Sequence, residues 1–176
     1  MDIKITYRLE MISPDEFNPK YGDFPELRIE RMETKCPEFN KFLHRVVGYN
    51  HRWGGREEWT KDDWYKYVNH DGFETWVAYK VGTPAGYFEL MKYPEDEVHI
   101  MTFGLLPDFI GKGLGGHLLS KAIERSWEMG AKKVIVGTCS HDHPHALHNY
   151  KARGFKVYKT EQHPANPPIK SFWDLT

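Results

Sequence analysis

The stretch Val98–Gly116 reads VHIMTFGLLPDFIGKGLGG. It is apolar from Ile100 to Leu106 and breaks at Pro107. Four glycines, Gly111, Gly113, Gly115 and Gly116, then fall within six positions before a helical pattern begins. The pattern is a strand feeding a glycine loop that opens a helix. Without Cβ atoms the loop can approach a ligand closely, and the first N–H groups of the helix have no partner within it. Such a place receives phosphate, and Lys112 adds positive charge.

Two common phosphate loops do not fit. A Walker loop has Ser or Thr after its lysine, whereas Lys112 precedes Gly113. A dinucleotide fold needs an acidic residue after the next strand, but Val136 is followed by Gly137-Thr138-Cys139-Ser140. A mere tight turn is the plain alternative, so the downstream order matters. Gly113–Met129 carries Leu114, Leu118, Leu119, Ala122, Ile123 and Trp127 on one helical stripe and stops at Gly130. Lys133–Thr138 is a β-branched strand, His143–Arg153 is again helical, and a last strand lies around Phe155–Thr160.

This order, with Leu105-Leu106-Pro107, Gly111-Lys112-Gly113-Leu114-Gly115-Gly116 and Tyr150-Lys151-Ala152-Arg153-Gly154-Phe155, resembles the GNAT-superfamily N-acetyltransferases over roughly residues 27–162. The resemblance implies a mixed α/β fold, with a central, mostly antiparallel sheet splayed between Val98–Leu106 and Lys133–Thr138. It also implies acetyl-CoA as co-substrate, lying in that split.

Composition sets outer bounds. The 176 residues suit one domain that buries about two-thirds of its unfolded surface. Twenty-four basic against 25 acidic side chains leave no net field for nucleic acid or an anionic membrane. Cys36 and Cys139 form no CxxC and no framework, which suits free thiols in a reducing compartment. The start, MDIKITYRLE, lacks the apolar core of a signal peptide, and no run of about eighteen apolar residues occurs. A cytoplasmic protein, monomer or homodimer, is expected.

Along the chain, Ile3–Met11 alternates as a strand and Ser13–Pro25 reads as an irregular connection. Residues 1–25 are therefore read as an N-terminal extension and 26–176 as a single domain. Leu27–Met32 is a strand with one buried face, and Pro37–Val47 is a helix ended by Gly48. A second helix begins at Thr60, placed to cap the N–H of Asp63. Between them, Tyr49–Trp59 is either a loop pinned by its aromatics or a substrate-facing lid. Glu74–Tyr79 and Ala85–Tyr93 form a hairpin across Lys80–Pro84, and Val98–Leu106 pairs next. The tail His163–Thr176 ends in an edge strand or a packed segment.

Acyl transfer from a thioester to an amine needs a bound co-substrate, an oxyanion donor, a proton for the leaving thiolate and a base for the amine. The resemblance puts the pyrophosphate on Gly111, Lys112, Gly113, Leu114, Gly115 and Gly116, and the pantetheine arm along Phe103, Gly104 and Leu105. It assigns a backbone N–H near Leu105 or Leu106 to the thioester carbonyl, and Tyr150 to protonating the sulfur. Glu89 is the first candidate for the base, with Glu97 and His99 behind it. His99 is expected on the strand face of Met101 and Phe103, where facing solvent is the other reading. Trp53, Glu97 and His99 are candidate acceptor contacts.

Ile110 replaces the Gln or Arg usual at the head of the loop. His143, counted among the co-substrate contacts, stands where members commonly have an asparagine seven residues before the tyrosine, and Thr138 replaces a glutamate that some members place at the end of the preceding strand. The run His141-Asp142-His143-Pro144-His145 with His148 invites a zinc reading. Asp142 as N-cap and Pro144 in the first turn explain the same letters as a helix start, and no metal is assigned. The implied activity is acetyl transfer to a primary amine of a small molecule or peptide. The rival is an acyl-CoA-binding module with little catalysis.

Overall fold

The structure, a computed structural model, describes residues 2–169 and 172–174. Among the described residues the chain forms seven strands and four α-helices. In order these are β1 (Ile3–Met11), β2 (Leu27–Arg31), α1 (Pro37–Gly48), α2 (Lys61–Val68), β3 (Phe73–Lys80) and β4 (Thr83–Tyr93), followed by β5 (Glu97–Leu105), α3 (Leu114–Glu128), β6 (Lys133–Cys139), α4 (Ala146–Ala152) and β7 (Lys156–Pro164). One sheet runs β2-β3-β4-β5-β6-β1-β7, antiparallel except where β5 meets β6 in parallel. The expected mixed α/β fold with a splayed, mostly antiparallel sheet is the one adopted.

Local chemistry explains the helices. Pro37 sits in the first turn of α1. Thr60 and Asp63 cap α2 reciprocally, each side chain accepting from the other's backbone N–H at 3.2 and 2.9 Å. Helix α3 lays Leu118, Leu119, Ala122 and Ile123 on one face of the sheet, against Phe88, Leu90, Val98, Ile100, Val134 and Val136. The other face takes α1, whose Leu43 and Val47 pack on Val77 and Tyr87.

Two departures from regular pairing shape the middle of the sheet. Glu89 pairs with Thr102 while Leu90 pairs with Ile100, so Met101 is an extra residue in β5. The bulge shifts the alternation by one: Val98 and Ile100 join the α3 core before it, Phe103 and Leu105 after it. His99 and Phe103 therefore lie on opposite faces, not on the shared face expected from simple alternation. The parallel ladder between β5 and β6 stops at Ile100–Val136. Beyond that pair the strands part.

The segment read as an extension is woven into the sheet. β1 lies between β6 and β7, and its Leu9 and Met11 are fully buried. Residues 12–25 then cross the end of α4, where Asn18 donates its backbone N–H to Arg153 O and its side chain to Ala152 O, both at 3.0 Å. Gly154 lies beneath this crossing at φ +109, and a Cβ there would collide with Glu16 O. β7 runs to Pro164, past the expected Thr160. Phe172 packs edge-on against Phe42, ring centroids 5.8 Å apart, as a packed tail would; residues 170, 171, 175 and 176 of the tail lie outside the described residues. No helix among the described residues is long and apolar enough to cross a membrane.

Gly154→Ala is expected to lower stability by about 3 kcal/mol, through steric overlap with the crossing segment added to an unfavourable φ. A urea denaturation midpoint shared with the wild type would show that the crossing is loose.

Candidate active site

Where β5 and β6 part, a cavity of about 550 Å³ opens on the α3 and α4 face of the sheet. Phe103, Gly104 and Leu105 form one wall, Gly111, Gly113, Gly115 and Gly116 the floor, and His143 and Tyr150 the opposite side. Gly113 is the N-cap of α3 at φ 81, and no side chain caps the helix. Its first N–H groups are thus left for a ligand. Lys112 and Leu114 do not line the cavity: the Lys112 ammonium lies 5.4 Å from the Phe109 ring centroid, and Leu114 is buried in the core.

The cations at this floor come from residues the sequence reading passed over. Lys20, in the crossing segment, and Arg153, just after α4, both line the cavity beside Gly116. Arg153 is 8% exposed; its Nε donates to Asn18 O at 2.9 Å and its Nη1 to Asn149 Oδ1 at 3.4 Å. Among the described residues no carboxylate pairs with it, and burial pulls its pKa down. A buried guanidinium without a counter-charge is costly, and an anionic ligand offsets that cost. Only the spacing of Arg153 one residue before Gly154 hinted at this, and nothing in the sequence placed Lys20 here.

The open edge of β5 is equally specific. Leu106 donates its N–H to Ala85 O at 2.9 Å, so it cannot serve a thioester carbonyl as one of the two expected donors. Antiparallel pairing alternates, so the N–H groups of Leu105 and Phe103 turn away from β4, into the split that β6 has vacated. Tyr150 borders the same split, 5% exposed, its ring centroid 6.1 Å from that of Phe103. Burial first, and then the charge of Asp142, push its pKa far above the ordinary phenol value, so it holds its proton at neutral pH.

Asp142 does not cap α4, which begins later, at Ala146, behind His145. Its carboxylate turns back instead, accepting from Trp53 Nε1 at 2.8 Å, Thr138 Oγ1 at 2.6 Å and Cys139 N at 2.9 Å. A second cavity, about 290 Å³, lies on the other face of the sheet, lined by Thr6, Arg8, His99, Met101, Gly137 and Cys139 among others. Trp53 and Asp142 line both cavities. The two chambers therefore meet at the split.

The sequence model of the acetyltransferase (GNAT) family matches residues 30–155. The chain belongs to that family. A mycothiol acetyltransferase of Corynebacterium aurimucosum is 36% identical over 91 residues, 49% of this chain; the chain spans only 28% of that relative's length. An IAA acetyltransferase from Bacillus cereus superposes with a TM-score of 0.57 at 25% identity, over 76% of this chain and 79% of its own. A GCN5-related N-acetyltransferase from Kribbella flavida gives a TM-score of 0.61 at 12% identity, over 89% of this chain and 55% of its own.

Of the candidate side chains, this GNAT domain separates Glu89 from the rest. Glu89 is fully buried and lines neither cavity. One of its oxygens accepts from Asn40 at 2.8 Å; the other accepts from Tyr67 at 2.8 Å and Arg56 at 3.0 Å. The Arg56 guanidinium lies over the rings of Tyr67, Trp59 and Trp64 at 4.3, 4.9 and 5.5 Å. This ion pair ties the Tyr49–Trp59 loop to the sheet, so the loop that carries Trp53 is pinned. His99 lines the second cavity, with Nε2 3.3 Å from Glu97 Oε2, and Glu97 in turn accepts from Lys133 at 3.0 Å.

The histidine run gathers no ligand set: among the described residues, no three His, Cys, Asp or Glu side chains converge as a metal site. His143 lines the first cavity, its ring 6.2 Å from that of His51, while His141 turns toward Asp2 at 3.7 Å. Both cysteines are free and half-buried.

His44, 6% exposed between Trp53 and Trp64, is held neutral: burial, then the charge of Arg56, depresses its pKa to about 4. The unfolded chain thus binds the extra proton between pH 6.5 and about 4, so stability falls as pH drops through that window. The expected slope from this group approaches ~1.4 kcal/mol per pH unit. His44→Phe should flatten that stretch of the stability curve, and an unchanged slope by urea denaturation between pH 6.5 and about 4 would refute the assignment.

Proposed function

We propose that the protein transfers the acetyl group of acetyl-CoA to a primary amine of a small molecule, by direct attack in a ternary complex. The observation that carries this is the junction of the two cavities at the β5–β6 split. Membership of the acetyltransferase family and the likeness to the mycothiol enzyme support it. The residues present suit the co-substrate. The N–H groups at the start of α3, with Lys20 and Arg153, hold its phosphates, and the edge of Phe103–Leu105 orients the pantetheine arm.

His99 is placed to accept a proton from the ammonium on the acceptor face: a hydrogen on Nε2 shared with Glu97 leaves Nδ1 open. This replaces Glu89, whose oxygens are already engaged. The neutral amine then attacks the carbonyl carbon through the split while the Leu105 N–H stabilises the developing oxyanion. As the C–S bond breaks, Tyr150 gives its proton to the thiolate and recovers one from the new amide nitrogen. His99 releases the first proton to solvent, which completes the balance.

Calorimetric titration of acetyl-CoA, followed by thiol release with a pool of amines, tests the reading; binding without release would replace it with a binding module. Tyr150→Phe and His99→Gln should each lower kcat by about 10²-fold, the range lost with a general acid or base. Unchanged turnover in either variant removes that residue from the scheme.

A further inference from the structure

The second cavity carries two opposite charges whose arrangement says what kind of amine it takes. An ionised carboxylate offers about four acceptor positions. Asp142 uses three, of which only the bond from Trp53 falls on Oδ1, so a lone pair remains at the wall shared with the coenzyme side. A positive group completes it there.

The cation lining the cavity is Arg8, from β1. Arg8 pairs with Gly137 across the ladder, and its guanidinium lies over that glycine: a Cβ on Gly137 would be 3.3 Å from Arg8 Nη1. Thr138, the next residue of β6, turns its side chain to the other face and holds Asp142 by its hydroxyl. Asp142 reaches the same chamber as Arg8 from the split, and both line it. Arg8 is also loosely engaged. Among the described residues its ion pair is with Glu161 at 3.7 Å, longer than a hydrogen bond, and Glu161 has a closer partner in Lys159 at 2.8 Å. Glu97, on the same face, is likewise taken, by Lys133 at 3.0 Å.

We propose that the acceptor is a free amino acid or a molecule built like one, its ammonium held by Asp142 and its carboxylate by Arg8. The inference rests on the transferase reading above. A chamber of about 290 Å³ is at the lower limit for drug-sized ligands, which agrees with a compact zwitterion. β1 lies outside residues 30–155, the segment matched by the family model.

The test compares thiol release from acetyl-CoA with two matched pools, the free amino acids and their α-amides. A free carboxylate should be favoured in kcat/KM by about tenfold or more, as charge-assisted hydrogen bonds allow. Arg8→Gln should raise KM for the acids by a similar factor and bring the ratio of acids to amides toward one. Arg8→Lys, which keeps the charge, should retain most of the preference. Equal use of acids and amides, or an Arg8→Gln variant that keeps the preference, overturns the inference and leaves the transferase reading standing. If no amine releases thiol, the transferase reading falls, and calorimetric titration of both pools into the coenzyme A-loaded protein decides the site. Carboxylate-dependent binding that Arg8→Gln abolishes supports it, and indifference to the carboxylate overturns it.

Discussion

Ile100 and Val136 are the last residues at which β5 and β6 are paired, and the proposed function depends on the parting of the two strands beyond them. A parallel ladder that continued would consume the N–H groups of Phe103 and Leu105 and close the sheet between its two faces. Because it stops, one strand edge stays free for a ligand's own amides, and the faces communicate through a gap narrow enough to be framed by Trp53 and Asp142. The bulge at Met101 belongs to the same event. It turns the apolar side of β5 back onto α3 just where the partner strand is lost, so the core survives the opening.

Charge is distributed to match the two faces. On the α3 side lie Lys20 and Arg153, and among the described residues Arg153 has no acid to neutralise it. On the other side the acids and bases are mostly paired among themselves, and the Arg56–Glu89 pair is enclosed by aromatic rings and Asn40. A buried pair of that kind adds little net stability against an apolar substitute, but losing either partner would leave a bare charge inside the protein. Its evident effect is positional: it holds the loop that brings Trp53 to the gap.

The fold was largely legible because its signals are local. Alternation marked the strands, the Thr60–Asp63 box marked α2, and glycine spacing marked the loop before α3. Of the candidate site, the sequence placed together Phe103–Leu105, the loop glycines and Tyr150, which do line one cavity. Side-chain partners were not legible. Glu89 looked like a base because it stands mid-strand, but Arg56 and Tyr67 arrive from a loop and a helix whose approach no periodicity encodes. A one-residue bulge is silent in the sequence, and it moved His99 to the opposite face from Phe103. Lys20 sits in an irregular connection and Arg8 in a strand read as part of an extension, and neither gave a reason to bring it to the site.

The placement of β1 bears on how the molecule is made. Its neighbours are β6 and β7, with contacts that run from Ile3 to Pro164, so β1, synthesised before the other six strands of its sheet, is among the last to find its partners. Pairs so remote in sequence carry a high loop-closure cost and fold slowly. Until residues 133–164 are synthesised, β1 is an amphipathic strand without a sheet, while β2 to β5 can already assemble as a meander. The sheet therefore has an early, locally paired half and a late half closed by β1. The late half is the one that holds both Arg8 and Asp142.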